Sequence, residues 1–166
     1  MHSFGGALFL FWSCSMIVTF CGHSQYTGTR EDEQKILALL TEIIGDRPAE
    51  LYLGGYGSFD AFAFRCGKLY QSTHPHTSLI FVTPYITASY QTTHLKEKNE
   101  QYDAIIYPSL EEKPLRFAIS HRNRWMVEQS DAVIAYVKKA VAGRTVILVT
   151  HDEEEAALLG APVLQM

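Results

Sequence analysis

The stretch LYLGGYGSFD, Leu51–Asp60, places three glycines between an apolar run and a segment with helical spacing. Glycine permits the positive φ of a sharp turn, and it lacks the Cβ that would keep a ligand away from the backbone amides. A helix that begins near Ser58 would direct unpaired N–H groups toward whatever fills the gap. We therefore predict that Gly54, Gly55 and Gly57 bind an anion, although a tight turn without a ligand is an alternative.

Outward from this stretch, short apolar runs alternate with helical patterns. The predicted strands are 17–21, 51–53, 78–85, 104–108 and 131–137, and the predicted helices are 31–44, 58–71, 89–101 and 116–129. Continuously apolar strands separated by helices indicate a parallel sheet covered on both faces. The predicted fold is α/β, doubly wound, with a mainly parallel sheet in a single domain; 166 residues are sufficient for one core.

Helical spacing also predicts which side chains face this core. The expected buried positions of the second helix are Phe59, Phe62, Cys66, Leu69 and Tyr70, and those of the helix before the fifth strand are Phe117, Trp125, Met126 and Val127.

Ligands of such sheets collect outside the carboxyl ends of the strands. Candidate ligand-binding residues follow the first and third strands as well: Gly22, His23 and Ser24, and Thr83, Pro84 and Tyr85. Asp60 lies in the first turn of the second helix, where it caps the helix or accepts hydrogen bonds from ribose hydroxyls. Arg122 and Asn123 precede the fifth strand; two arginines on one helix usually form a solvated face, but an arginine along the sheet edge can bind phosphate bidentately.

The composition excludes several classes of function. The net charge is −4, and the Lys and Arg residues are scattered along the chain and not clustered. Both observations argue against a strong nucleic-acid footprint. The three cysteines, Cys14, Cys21 and Cys66, are widely spaced and are expected to be buried thiols in a reducing compartment, which favours a cytoplasmic protein. The histidines lack the spacing of metal ligands, so we assign no metal and no cofactor.

Residues 1–15 are apolar but contain no Lys or Arg. Because a secretory signal normally opens with positive charge, we interpret this segment as a spurious or disordered extension rather than a targeting segment. A membrane span needs about 20 apolar residues, a length that the run reaches only by including the first strand. We therefore predict no membrane association and a natural start at Met16.

Several motifs in order resemble the YpsA-type family of unknown function. They are MIVTFCGHSQ, LYLGGYGSFDAFAFRC, FVTPYI, YDAIIYP and RFAISHRNRWMVEQSDAVIAYV, which together span residues 16–137. That family belongs to the SLOG superfamily, with the Smf DNA-processing proteins and the LOG phosphoribohydrolases. The resemblance implies a Rossmann-like domain over 16–143 that binds a nucleotide or a nucleotide derivative. Arg122 and Met126 are similar to the Arg-x-x-x-Met element of LOG enzymes, whose arginine contacts the substrate.

The chain departs from these families after the fifth strand. The LOG loop GGxGTxxE, which carries a catalytic glutamate, is replaced by KKAVAGRT, and the double glycine that YpsA-type proteins usually have there is missing. The tail over 144–166 instead resembles the switch-histidine strand and following helix of ABC transporter ATPases, but the chain contains no Walker A motif. A fused or frameshifted end and a compensating sixth strand over Thr145–Thr150 are both compatible with this pattern.

Three functions are compatible with these residues. The first is a non-catalytic domain that binds or senses a small nucleotide-like ligand. The second is a nucleotide-processing hydrolase of the phosphoribohydrolase type, with Asp60 or His23 in acid–base roles, and the third is a DNA-associated module like the Smf proteins. We expect the first, because the sequence does not place a general base at a reacting bond. The sequence leaves open whether the protein forms a homo-oligomer.

Overall fold

The computed structural model of the protein describes residues 15–22, 24–138 and 145–150. The strands are β1 Met16–Gly22, β2 Ala49–Leu53, β3 Thr77–Val82, β4 Ala104–Ile106, β5 Ala132–Lys138 and β6 Thr145–Thr150. The α-helices are α1 Arg30–Ile44, α2 Gly57–Thr73, α3 Ala88–Tyr90, α4 Lys96–Gln101 and α5 Ala118–Gln129. A π-helical turn, Gln91–Leu95, joins α3 to α4, and a 3-10 turn, Leu115–Phe117, precedes α5.

The strands form one sheet in the order β4-β3-β2-β1-β5-β6. The first five strands are parallel, and β6 pairs antiparallel with β5 at the edge. The chain moves from β1 outward to β4 and then crosses to the other side of β1, which is the reversal that defines a doubly wound sheet. The predicted fold class is therefore confirmed. A sixth strand over Thr145–Thr150 is also present, as one of the two interpretations of the tail required.

Two apolar layers cover the sheet. The larger contains Val18, Phe20, Leu51 and Phe81 from the strands, packed against buried side chains of α1 and α2. The opposite face carries two smaller clusters in which Val127 and Met126 of α5 meet β1, β5, β2 and β3. With helices on both faces, the carboxyl edge of the parallel strands is where loops can form a site.

Local sequence sets the ends of α1. Thr29 accepts a hydrogen bond from the Asp32 amide through its side chain, and the Asp32 carboxylate accepts one from the Thr29 amide, which together form a capping box. Gly45 ends the helix at a φ of 59°, a conformation that glycine adopts at little cost.

Two of the predicted core positions are wrong. Leu69 is 46% exposed, because it lies ten residues beyond Phe59 and therefore points about 80° away from it around α2. Phe117 is 44% exposed, because it belongs to the 3-10 turn before α5 and not to the stripe of that helix. The other predicted positions are buried, apart from the half-buried Trp125, which stacks on Tyr52 with the ring planes 2° apart.

The predicted domain boundaries remain predictions, since residues 1–14, 139–144 and 151–166 lie outside the described residues. Within the described ranges, none of the helices combines the length and the apolar character that crossing a bilayer requires.

Candidate functional site at the carboxyl edge

Arg122 of α5 joins the carboxyl ends of two neighbouring strands. Its Nη1 atom donates hydrogen bonds to the carbonyl oxygens of Gly54, just after β2, and of Val82, the last residue of β3, both at 2.7 Å. Only 1% of this residue is exposed. The side chain predicted to lie along the sheet edge is there, and part of its hydrogen-bonding capacity holds the edge together.

Gly54 allows this approach. A Cβ on Gly54 would lie 2.8 Å from each of Cζ, Nη1 and Nη2 of Arg122, so the guanidinium group lies with its face against the glycine backbone. Nε of Arg122 donates to Oδ1 of Asn123 at 2.8 Å. Nη2 has no acceptor among the described residues, which leaves a buried cation with donors not used by the fold.

The other glycines of the site also accommodate protein groups. Added Cβ atoms would lie 2.4 Å from the Phe59 ring at Gly22, 2.6 Å from the Phe81 ring at Gly55 and 2.7 Å from the backbone of Ser24 at Gly57. Gly55 and Gly57 have φ of 69° and 86°, a region that favours glycine. The room left by the absent side chains is thus occupied by the protein, and a ligand would meet the backbone amides from the remaining side.

The amides at the start of α2 divide into two groups. The Ser58 amide donates to the Ser24 carbonyl oxygen at 2.9 Å, and the Tyr56 amide donates to Oδ2 of Asp60 at 2.9 Å. The amides of Gly57 and Phe59 have no acceptor among the described residues. They lie at the positive end of a 17-residue helix, where backbone N–H groups bind anions.

Asp60 is held in its protonated form to an unusually high pH. Burial raises the pKa of its carboxyl from 3.8 to about 6, although the hydrogen bond from the Tyr56 amide and the charge of Arg122 act in the opposite direction. Burial also lowers the pKa of Arg122, while the nearby Asp60 charge raises it. Below a pH of about 6, the local charge is that of the guanidinium alone.

Three tyrosines extend the edge beyond this charged pair. The Tyr56 ring lies 5.5 Å from Cζ of Arg122, and its hydroxyl is 3.0 Å from that of Tyr90. Tyr90 in turn meets Tyr85 edge-on, with ring centroids 5.4 Å apart. Tyr56 is 38% exposed, so an aromatic face is available to a ligand beside the guanidinium group.

The loop after β3 is fixed by its own hydrogen bonds. The Thr83 hydroxyl donates to the Tyr85 carbonyl oxygen at 2.9 Å and accepts from the Tyr85 amide at 3.3 Å. Thr83 is fully buried and Pro84 is also buried. Thr83 therefore shapes the loop that presents Tyr85, and its hydroxyl is already engaged.

Most of the predicted site residues converge. Contacts join Ser24 to Gly57 and Gly54 to Arg122, Arg122 contacts Asn123, and the charge of Arg122 acts on Asp60. Gly22, Gly55 and Thr83 to Tyr85 lie at the ends of the adjoining strands. His23 lies outside the described residues.

The sequence analysis missed Tyr56 and Tyr90. Tyr56 lies inside the glycine motif, a signal that could have been used, whereas nothing in the polar segment around Tyr90 marks it. Among the described residues, no group of three or more His, Cys, Asp or Glu side chains could hold a metal ion.

Comparison with solved structures finds a similarity to DNA processing protein A from Helicobacter pylori, a protein described by its single-stranded DNA binding mode. The sequences are 20% identical and the TM-score is 0.45. The similarity covers 77% of this chain and 56% of that chain, so this chain spans little more than half the length of that protein. No protein-family model and no curated protein matches the chain.

The sequence expectation of no strong nucleic-acid footprint, drawn from the acidic net charge, conflicts with this comparison and is not retained. Net charge describes the whole surface, whereas single strands are also held by base stacking on a few aromatic side chains and by local basic groups. The acidic net charge is therefore no argument against a nucleic-acid partner.

Proposed function

We propose that this protein binds a nucleotide or a nucleotide derivative at the carboxyl edge of the sheet and acts as a binding or sensing domain without turnover. The observation that carries the proposal is the buried guanidinium group of Arg122, which has unused donors at Nη2 and lies beside the amino end of α2. A fixed cation next to open helix amides favours an anionic group, and hydrogen bonds to charged groups contribute about 1.5 to 3 kcal/mol each.

The aromatic side chains support a ligand that is more than a simple anion. The Tyr56 ring lies beside the guanidinium group of Arg122, and Tyr85 lies farther along the edge, where it contacts Tyr90. The rings of Tyr56 and Tyr85 both have accessible area. A phosphate near Arg122 would leave the remainder of a nucleotide within reach of these rings, since stacking on an aromatic face is available to every base. The resemblance of the motifs to the SLOG superfamily points to the same class of ligand.

A second function is favoured by Asp60. A carboxyl group with a pKa of about 6 exchanges protons close to neutral pH, which general acid–base catalysis requires. In this alternative, Asp60 would donate its proton to the leaving base of an N-glycosidic bond, while a water molecule adds to C1′ of the ribose and gives up a proton, which returns the carboxyl group to its protonated form. We place it second, because the Asp60 carboxylate already accepts the Tyr56 amide and thereby completes the turn into α2.

A ligand panel tests both functions. Thermal unfolding of the full chain with mononucleotides, dinucleotides and ADP-ribose is expected to give an upward shift for at least one compound, because a ligand that binds only the folded state stabilises it. If the whole panel leaves the melting temperature unchanged, the proposed function is wrong. Release of free base or ribose phosphate from the bound compound would replace the sensing function with the hydrolase.

A pair of arginines on one helix supplies the matched variants. Arg122→Gln removes the buried cation, whereas Arg124→Gln removes an exposed one that is paired with Glu128. Calorimetric titration at a temperature where both variants are folded is expected to show weaker binding for Arg122→Gln and unchanged binding for Arg124→Gln. Equal losses in the two variants would assign the effect to net charge and not to the site.

A further inference from the structure

A second concavity lies at the carboxyl edge, between the loop after β3 and the loop that joins β4 to α5. Its volume is about 300 Å³. The side chains that form its walls are mainly apolar or aromatic: Pro84, Tyr85, Ile86, Tyr107, Leu110 and Leu115. Glu111 and Lys113 add one charge of each sign at the same cavity.

The cavity adjoins the Arg122 site at two places along the chain and through one ring contact. Val82, whose carbonyl accepts from Arg122, is followed after one residue by the lining residue Pro84. Ala118 also lines the cavity, and it lies four residues before Arg122, which is about one turn or 6 Å along the same face of α5. The ring of Tyr85 contacts Tyr90. A ligand that occupies both places therefore needs to span only a short distance.

The size and the walls define what fits. Ligand pockets typically measure about 300 to 1,000 Å³ and combine apolar walls with a few polar groups. At the lower end of that range, the cavity accommodates one ring system but not two nucleosides. Walls of tyrosine, proline and leucine favour a flat, weakly hydrated group. Lys113 provides a hydrogen-bond donor and Glu111 an acceptor for the edge of such a ring.

We propose that this cavity holds the planar base of the ligand, with Tyr107 and Tyr85 as its aromatic walls, while the phosphate lies at Arg122 and the amino end of α2. The inference rests on the proposed function and assigns to it a base site that is separate from the anion site. The base can belong to a free nucleotide or to an unpaired residue of a single strand, since both present the same ring.

Calorimetric titration of the full chain with AMP, GMP, CMP and UMP, with pyrophosphate and with a twelve-residue single-stranded oligonucleotide tests the assignment. Tyr107→Ala is expected to weaken binding of the best mononucleotide about 5- to 150-fold, the range that loss of one base-stacking ring produces. Tyr107→Phe, which keeps the ring, should bind as the wild type does. Leu115→Asp should also weaken binding, and because Leu115 is 70% exposed, this variant is expected to fold.

Leu69→Ala is the matched control, since Leu69 is an exposed leucine of α2 that does not line the cavity. Pyrophosphate should bind Tyr107→Ala as tightly as it binds the wild type, because the anion site is unchanged. If Tyr107→Ala and Leu115→Asp bind the mononucleotide with wild-type affinity, the base site is wrong and the proposed function stands. If the wild type binds no member of the panel, the proposed function itself fails. Binding of the oligonucleotide alone, lost in Tyr107→Ala, would keep the base site and identify a strand as its source.

Discussion

Replacing Asp60 by asparagine should make the protein more stable at neutral pH. The folded state raises the pKa of the Asp60 carboxyl from 3.8 to about 6, mainly through burial. A group whose pKa is raised on folding contributes its full stability below the unfolded pKa and loses it as the pH rises toward the folded value. The loss corresponds to about 3 kcal/mol, since each pKa unit is worth about 1.36 kcal/mol. Asparagine keeps an oxygen that accepts the Tyr56 amide and does not ionise, so it avoids this loss.

Urea denaturation of the wild type and Asp60→Asn at a series of pH values measures the difference directly. We expect the two proteins to have equal free energies of unfolding at about pH 3, below the unfolded pKa of the carboxyl. The advantage of the variant should grow as the pH rises to about 6 and then stay constant at up to about 3 kcal/mol. Glu42→Gln, which removes an exposed carboxylate from α1, controls for net charge and should change stability by less than about 0.5 kcal/mol. A variant that is less stable than the wild type at pH 7 would refute the reasoning, because it would mean that the attraction between Asp60 and Arg122 outweighs the cost of burial.

Three further results are expected. Gly45→Ala, where a Cβ has open space at a φ of 59°, should lower the free energy of unfolding measured in urea by about 1 kcal/mol. Gly55→Ala should lower it by at least about 1 kcal/mol more, because its Cβ would also lie 2.6 Å from the Phe81 ring. Equal losses in the two variants would show that φ alone determines the cost. In the wild type, the calorimetric affinity for ADP-ribose, whose charge is constant between pH 5 and 8, should fall as the pH rises through about 6. In Asp60→Asn the affinity should not change with pH. Parallel pH profiles of the two proteins would mean that the anion binds away from the Asp60 carboxyl group. Burial raises the pKa of both Cys21 and Cys66 to about 12, so a Cys14→Ser protein should react with a thiol reagent only when unfolded, and rapid labelling of the native protein would contradict this.

The architecture could be predicted because it follows from local patterns. The apolar runs and helical spacings place five strands and the long helices within a few residues of their observed ends, and continuous apolarity identifies the parallel sheet. The failures at Leu69 and Phe117 concern residues at the borders of a helical pattern. Leu69 lies at the margin of the buried stripe of α2, whereas Phe117 lies in the 3-10 turn that precedes α5.

The site was predicted less completely, because its contacts join residues far apart in the chain. The sequence shows that Gly54 and Gly55 lack side chains, but it does not show that the guanidinium group of Arg122 and the ring of Phe81 fill the space. Similarly, the sequence shows an acidic residue at position 60, whereas the raised pKa of Asp60 depends on its burial in the folded protein. Spacing along the chain identifies candidates, and only tertiary contacts determine their roles.

The position of Arg122 requires the geometry of a guanidinium group. A lysine has one nitrogen, so its donors would all be directed from a single point toward the Gly54 and Val82 carbonyls. In the guanidinium group, Nη1 donates hydrogen bonds to both carbonyl oxygens and Nε donates to Asn123. Nη2 is a separate donor in the same plane. The atoms that hold β2 and β3 at a fixed separation are therefore different from the atom that is left for a ligand. An anion bound at Nη2 would meet a donor that the sheet itself has already positioned, so little side-chain entropy is lost when it binds.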